Sequence, residues 1–347
     1  MSTGTPNSPP AHEPASSRTA RRHDAAEKHE RHLIADIGGT HARFALCTSA
    51  RDIEHVDVLD SAAFASMEDA IRHYLGSHGN PRVRHAVIGI ANPVLGDHVK
   101  MTNAAWEFSI EDMRCSLGLE HLHVLNDFAV LAMAVPHLEA DDLMQVGGGN
   151  GVAGAPLGLL GPGTGLGVSA LVPTRKGGPI ALATEGGHAS FAPADDLQAM
   201  LWRAARKRHG HVSMERLISG SGLAFIYEAL CEDQGKRPNQ YTPAEISTHA
   251  MDGTDTLCRL ALDTFCAILG SAAADLALTL GARGGIYIGG GIIKKLGEYF
   301  PQSPFRKAFE DKGRFQAYLA AIPVFVILAR QPALTGAAAY LETLSQE

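Results

Sequence analysis

Cysteine is scarce in this sequence: 5 among 347 residues, Cys47, Cys115, Cys231, Cys258 and Cys266, with no C-x-x-C pair. The odd count and wide spacing argue against a zinc ribbon and fit free thiols in a reducing, cytoplasmic compartment. Long apolar runs are missing too. None reaches the roughly 20 residues that span a bilayer, and the most apolar stretch, 257–280, is broken by Arg259, Asp263 and Asp275, as in a core helix. Residues 1–31 lack the apolar segment of a secretory signal and are rich in Ser, Thr, Pro, Ala and charge, so they read as a disordered tail. Nor is there an excess of positive charge. The formal net charge is −7, which speaks against a nucleic-acid partner, because neutralising phosphates requires a basic face. Arg18, Arg21 and Arg22 make only a short basic cluster.

Two familiar nucleotide signatures are also lacking. In the glycine-rich stretch 161–167, Leu166 and Val168 fall where G-x-G-x-x-G would need its third glycine. The only Gly-Lys pair, Gly235-Lys236, is followed by Arg237, so there is no Walker A loop.

What is present is a globular composition, 45% hydrophobic and 19% charged, on a chain longer than one core usually organises. Two domains with a cleft are therefore expected. Apolar runs ending in turn residues predict strands over 33–37, 43–47, 85–91, 122–125, 157–161, 168–172, 285–288 and 324–328. Helical spacing predicts helices over 61–75, 109–117, 127–135, 195–208, 222–232, 242–250 and 254–280, with Thr242, Pro243 and Glu245 as cap, first turn and capping-box partner. The hairpin around 161–167 weakly repeats the one around Gly38-Gly39, and the alternation implies two α/β lobes with mixed sheets.

Three glycine turns stand at strand ends. Asp36-Ile37-Gly38-Gly39-Thr40 offers bare amides, a hydroxyl and a carboxylate able to hold a hydrated magnesium ion, although an ordinary hairpin turn would look the same. Gly163-Thr164-Gly165 could cradle phosphate from the other lobe, and Gly289-Gly290-Gly291 suits close approach by a base or ribose. Asn126-Asp127 lies at a predicted helix start. There the helix dipole should keep Asp127 ionised at neutral pH and able to accept a proton, and a plain N-cap aspartate is the bland alternative. Glu185, His188 and Glu215 supply the donors and acceptors that sugar hydroxyls need. The glycines between Glu185 and His188 make a helical zinc pair a poor fit, and the pairs His121/His123 and His209/His211 read as surface or strand-face residues.

Taken in order, 35–43, Gly96-Asp97, Met101-Thr102-Asn103 with Trp106, 125–128, 163–167, 185–188, Glu215-Arg216 with Ser219-Gly220, and 289–291 resemble the bacterial glucokinase family. That family shares a duplicated core with sugar kinases, actins and heat-shock ATPases, and the likeness covers 33–338. The resemblance implies an α/β, two-lobed actin-like (ribonuclease H-like) fold with mixed sheets and an interdomain cleft. The expected domains are a small one over 32–137, completed by a C-terminal helix over 333–347, and a large one over 138–332. The implied reaction is ATP-dependent phosphorylation of glucose at the 6-hydroxyl, the first step of glycolysis. Asp127 would be its general base, and Asn126, Asp127, Glu185, His188 and Glu215 would bind sugar. Ala35, Asp36, Ile37, Gly38, Gly39 and Thr40 with Gly163, Thr164 and Gly165 would hold phosphates, and Gly289, Gly290 and Gly291 the nucleoside. ATP and Mg2+ are the implied cofactors, with no direct protein metal ligand and Asp36 acting through water; a homodimer and no membrane partner are expected. His41 stands where the family commonly has Asn. The related repressor and kinase family with a zinc loop matches less well, since no cysteine follows His188 until Cys231. A sugar-responsive regulator and an actin-like or chaperone-like ATPase are the readings from other classes.

Overall fold

Along the first strand, Leu33, Ala35 and Ile37 pack to one side and Ile34 to the other, so this strand is buried on both faces and must lie inside a sheet. The computed structural model describes residue 1 and residues 30–102 and 104–344. The expected tail falls outside these residues except at its ends, where Arg31 is already strand; Arg18, Arg21, Arg22, Asn103 and the last three positions of the helix expected over 333–347 also lie outside them.

The first sheet is built from β1 (Arg31–Ile37), β2 (His41–Ser49), β3 (Asp52–Asp60), β4 (Val83–Ile90) and, after a small hairpin of β5 (His98–Lys100) and β6 (Glu107–Ser109), β7 (His121–Asn126). Its order is β3-β2-β1-β4-β7. The hairpin strands are antiparallel, and β1, β4 and β7 run parallel. Helices α1 (Met67–Ser77), α2 (Ile110–Leu117) and α3 (Asp127–Ala134) connect or follow them. The second sheet contains β8 (Leu143–Gln145), β9 (Leu157–Pro162), β10 (Leu166–Val172), β11 (Ile180–Ala183), β12 (Gly285–Ile288) and β13 (Val324–Ile327). Its run β11-β10-β9-β12-β13 repeats the order and strand directions of the first sheet, with β8 added antiparallel at the edge. The faint echo between the two hairpins is thus a full topological duplication.

Between β11 and β12 run α4 (Asp196–His209), α5 (Gly220–Asp233), α6 (Pro243–Met251) and α7 (Thr256–Leu280). After β12 come α8 (Gly291–Leu296), α9 (Tyr299–Gln302), α10 (Phe305–Glu310) and α11 (Gln316–Ala320), and β13 is followed by α12 (Pro332–Leu344). Three apolar layers result. Leu33, Ile37, Ile71 and Tyr74 fill the outer face of the first sheet, and Leu160, Phe265, Ile286 and Phe309 that of the second. Ile34, Val87, Val130, Leu159, Leu171 and Ala338 form the layer between the sheets, where α3 and α12 pack together. Helix α7 is long and apolar enough to cross a membrane, but 67% of its most apolar window is buried in this fold, as its interrupting charges suggest.

Several elements differ from expectation. The helix expected from Ser61 begins only at Met67, where the Ser66 hydroxyl accepts the Asp69 amide at 3.0 Å; Ser61–Ala63 is a single 3-10 turn. Strand β3 was unforeseen because His55, at φ 56°, sits where the register slips and so breaks the two-residue alternation. Helices α9 to α11 were missed for their shortness; the buried rings of Phe300, Phe305 and Phe309, each worth about 1.5–3 kcal/mol, hold this region.

Candidate active site

Strands β1, β7, β9 and β12 all end at one rim of their sheets, and the chain leaves each through a turn. The β1 turn closes on itself through Gly38 N donating to His41 O at 3.0 Å. The β9 turn is closed by Gly163 N donating to Gly165 O at 2.8 Å and is pinned from outside by Gly220 N donating to Gly163 O at 2.9 Å. The amides of Thr164 and Gly165 have no acceptor within the described residues. Such amides are available to an anion. After β12, Gly289 N donates to Leu160 O at 2.7 Å, and Gly290 takes φ 86° with no room for a Cβ against Pro162 O, so glycine is required there.

A cleft of about 550 Å³ lies between these turns. Its walls carry Gly38, Gly39, Asn126, Asp127, Gly163, Thr164, Gly165, Glu185, His188, Glu215 and Gly290. The cleft therefore brings together most of the residues singled out in the sequence. Ala35 and Ile37 are exceptions: both are fully buried, paired to β2 on one side and β4 on the other, and line no described cavity. Thr40 is exposed at the end of its turn, with its carbonyl accepting Ser61 N at 3.0 Å, and is not on the cleft wall. Asp36 opens into an adjoining crevice of about 330 Å³ shared with Asp127, Gly289, Gly290, Gly291 and the cations Arg43, Lys294 and Arg330. There Arg43 Nη1 donates to Asp36 Oδ2 at 3.1 Å. Burial pushes the Asp36 carboxyl above its ordinary range, with Arg43 pulling the other way.

Asp127 is the first residue of α3, and the cap is its neighbour: Asn126 Oδ1 accepts Phe128 N at 3.0 Å and Ala129 N at 3.2 Å. Asp127 is thereby spared the capping role, although its Oδ1 also accepts Phe128 N at 2.9 Å. Its carboxyl titrates above the range expected of an aspartate at a helix start. Burial first, and the charge of Asp36 second, raise its pKa from 3.8 to about 7, against the lowering by the Phe128 amide.

On the same cleft, Glu185 precedes and His188 ends a 3-10 turn (Gly186–His188), with His188 N donating to Glu185 O at 3.0 Å and the side chains 3.9 Å apart. Both side chains are more than half exposed, at 53% and 61%. A second 3-10 turn, Met214–Arg216, is tied to the first by Met214 N donating to Ala189 O at 2.9 Å, which carries Glu215 to the same wall. Among the described residues no group of three or more His, Cys, Asp or Glu is arranged to hold a metal ion. His121 and His123 stand on β7, where His121 stacks on His85 with centroids 5.2 Å apart.

Three features escaped the sequence reading. Asn92, Pro93 and Thr102 also line the cleft; Asn92 Nδ2 donates to Lys100 O at 2.9 Å and its Oδ1 accepts Thr102 N at 2.7 Å, tying the end of β5 to the cleft wall. An Asn-Pro pair directly after a strand was the available signal. Second, Gly161 and Gly167 do not serve the turn: a Cβ at either would strike the ring of Phe128, which crosses from α3. Third, a cavity of about 470 Å³ adjoins Gly163 and Thr164, walled by Gly220, Leu223, Thr242, Pro243, Ser247, Ile292 and Leu296, with Lys295 at its side.

The family model described as glucokinase matches residues 33–344. The chain is 56% identical to a glucokinase of Chromobacterium violaceum over 309 residues, covering 89% of this chain and 88% of that one. It is 54% identical over 310 residues to a glucokinase of Neisseria meningitidis serogroup C, with coverage of 89% and 94%. Among solved structures, a glucokinase from an Antarctic psychrotroph superposes with a TM-score of 0.83 at 38% identity, over 90% of this chain and 99% of the other.

Proposed function

The chain belongs to the glucokinase family, and we propose that Asp127 is the general base of its reaction, the transfer of the γ-phosphoryl group of ATP to the 6-hydroxyl of glucose. The enzyme is an ATP-dependent glucokinase that forms glucose 6-phosphate. What supports the assignment is one juxtaposition: Asp127 lines the same cleft as Glu185, His188 and Glu215 and as Gly38, Gly39, Gly163, Thr164 and Gly165.

Each part has a chemical task. Carboxylates accept from sugar hydroxyls and an imidazole donates or accepts, so Asn126, Glu185, His188 and Glu215 can replace the water that a hexose gives up. A base titrating near neutrality takes the hydroxyl proton without holding it too tightly, which suits Asp127 with its pKa raised to about 7. Phosphoryl transfer demands alignment and charge stabilisation more than covalent help. The unpaired amides of Thr164 and Gly165 and the Gly38-Gly39 turn would cup the phosphates from opposite lobes. We assign the base and ribose to the cavity beside Thr164, between α6 and α8, which is lined by Ile292, Lys295 and Leu296 rather than by the Gly289-Gly290-Gly291 run.

Magnesium fits as a hydrated ion. Two carboxylates, Asp36 and Asp127, line the crevice, and Asp36 is already paired with Arg43, which suits an ion held mainly by phosphates and water. When bound with ATP it supplies charge neutralisation on the phosphate oxygens. The cytoplasmic placement belongs to the same proposal and is supported by five cysteines that are all free thiols.

The test is Asp127→Asn in an ADP-release assay across a panel of hexoses. The variant should lose about 10² to 10⁴ in turnover while still binding glucose; near-normal turnover would remove Asp127 from the mechanism.

A further inference from the structure

Glu215 Oε2 accepts the Leu166 amide at 2.9 Å, and Leu166 is the first residue of β10, immediately after the Gly163-Thr164-Gly165 turn. The same oxygen occupies the place a Cβ on residue 165 would need. So the bareness of Gly165 is explained by the carboxylate packed against it, with no reference to phosphate. Among the described residues, no hydrogen bond engages the other carboxylate oxygen of this half-buried residue, which lines the cleft. Glu215 is thus a short rigid link: one oxygen fixed to the nucleotide turn, the other free for a ligand.

Building on the sugar-binding role assigned to Glu215, we infer that this residue is also a positioning residue for the phosphate turn and couples the two substrate sites. A charged acceptor makes a stronger bond to an amide than a neutral one, so Leu166 N is held firmly and the turn is held with it. A sugar hydroxyl donating to the free oxygen fixes the carboxylate plane, and through it the turn, before nucleotide arrives. Linkage makes the effect reciprocal: whatever the sugar does for nucleotide affinity, the nucleotide does for sugar affinity.

The inference opposes simple electrostatics, which gives it a test by sign. Removing a negative charge beside a triphosphate should strengthen nucleotide binding; removing a brace should weaken it. Calorimetry on the full chain would measure AMPPNP with magnesium in the absence of sugar, and glucose in the absence of nucleotide. Glu215→Ala should bind AMPPNP about fivefold or more weakly. Glu215→Gln, which keeps an oxygen for Leu166 N, should recover most of that loss. Gly165→Ala should weaken nucleotide-free glucose binding by about tenfold, within the usual range of coupling, although residue 165 belongs to the nucleotide turn.

If Glu215→Ala keeps wild-type glucose affinity, its assignment to the sugar fails, and this inference fails with it. If Glu215→Ala loses glucose affinity yet binds AMPPNP as tightly as wild type or more so, the sugar assignment stands and the coupling alone is overturned. Should Gly165→Ala fold poorly, the sign of the Glu215→Ala change decides by itself.

Discussion

At Asp127 two effects compete and the magnitudes decide between them. A helix start favours the anion by about 0.3–1 kcal/mol, whereas a shift from 3.8 to about 7 corresponds to several times that, at about 1.4 kcal/mol per pK unit. Burial and the neighbouring charge of Asp36 prevail. For the reaction this means that kcat/KM should rise as pH climbs through about 7, where Asp127 loses its proton. For stability the direction is the reverse. The folded chain holds this proton more tightly than the unfolded one, so stability falls as pH rises from about 4 to 7 and stays reduced above. Asp127→Asn removes that penalty. Thermal melts should show the variant gaining several degrees over wild type at pH 8 and little at pH 4; equal gains at both would mean the carboxyl titrates normally. The residue types of the site were readable in sequence because a carboxylate after Asn, or a Glu-Gly-Gly-His run, carries its chemistry locally. The ionisation of Asp127 was not, since Asp36 and Glu185 approach it only after folding.

Among elements, the hairpin β9–β10 shows how one residue type can answer to different neighbours. Gly163 belongs to a turn, Gly165 yields to Glu215, and Gly161 and Gly167 yield to Phe128 on α3. In sequence all four look like one phosphate loop. Gly167→Ala should therefore cost stability, about 1–3 kcal/mol of overpacking, and the cost should shrink in a Phe128→Ala background. A double-mutant cycle by denaturant unfolding measures this coupling; additive effects would show that the ring does not govern position 167. Legibility followed the same division between local and distant causes. The start of helix α6 was readable to the residue because Thr242, Pro243 and Glu245 encode it: Glu245 N donates to the Thr242 hydroxyl at 3.2 Å and Thr242 N donates to Glu245 at 2.7 Å. Strand β3 was hidden by the irregularity at His55, and the short helices α9 to α11 take their conformation from aromatic packing rather than from periodicity.

For the whole molecule, the duplicated sheets set the two substrates against unequal shares of the cleft. The wall proposed for the sugar draws Asn126 and Asp127 from the first lobe and Glu185, His188 and Glu215 from the second. The cavity assigned to the nucleoside is walled only by the second lobe, from α5, α6, α8 and the β9 turn. A ligand favours a closed state only to the extent that it binds that state better than the open one. A hexose touching both lobes satisfies this condition, because each lobe supplies partners that the other cannot reach when apart. A nucleotide whose base and ribose sit on one lobe does not, since only its phosphates would reach Gly38 and Gly39 on the shared cleft. Closure should therefore follow the sugar. Small-angle scattering should show the radius of gyration falling on addition of glucose alone and changing much less with AMPPNP alone, with the fall lost in Glu185→Ala combined with His188→Ala. A fall produced by nucleotide and absent with glucose would mean that the lobes are drawn together through the phosphates, and that the walls carrying Asp127 and Glu185 meet around the triphosphate before any sugar has bound.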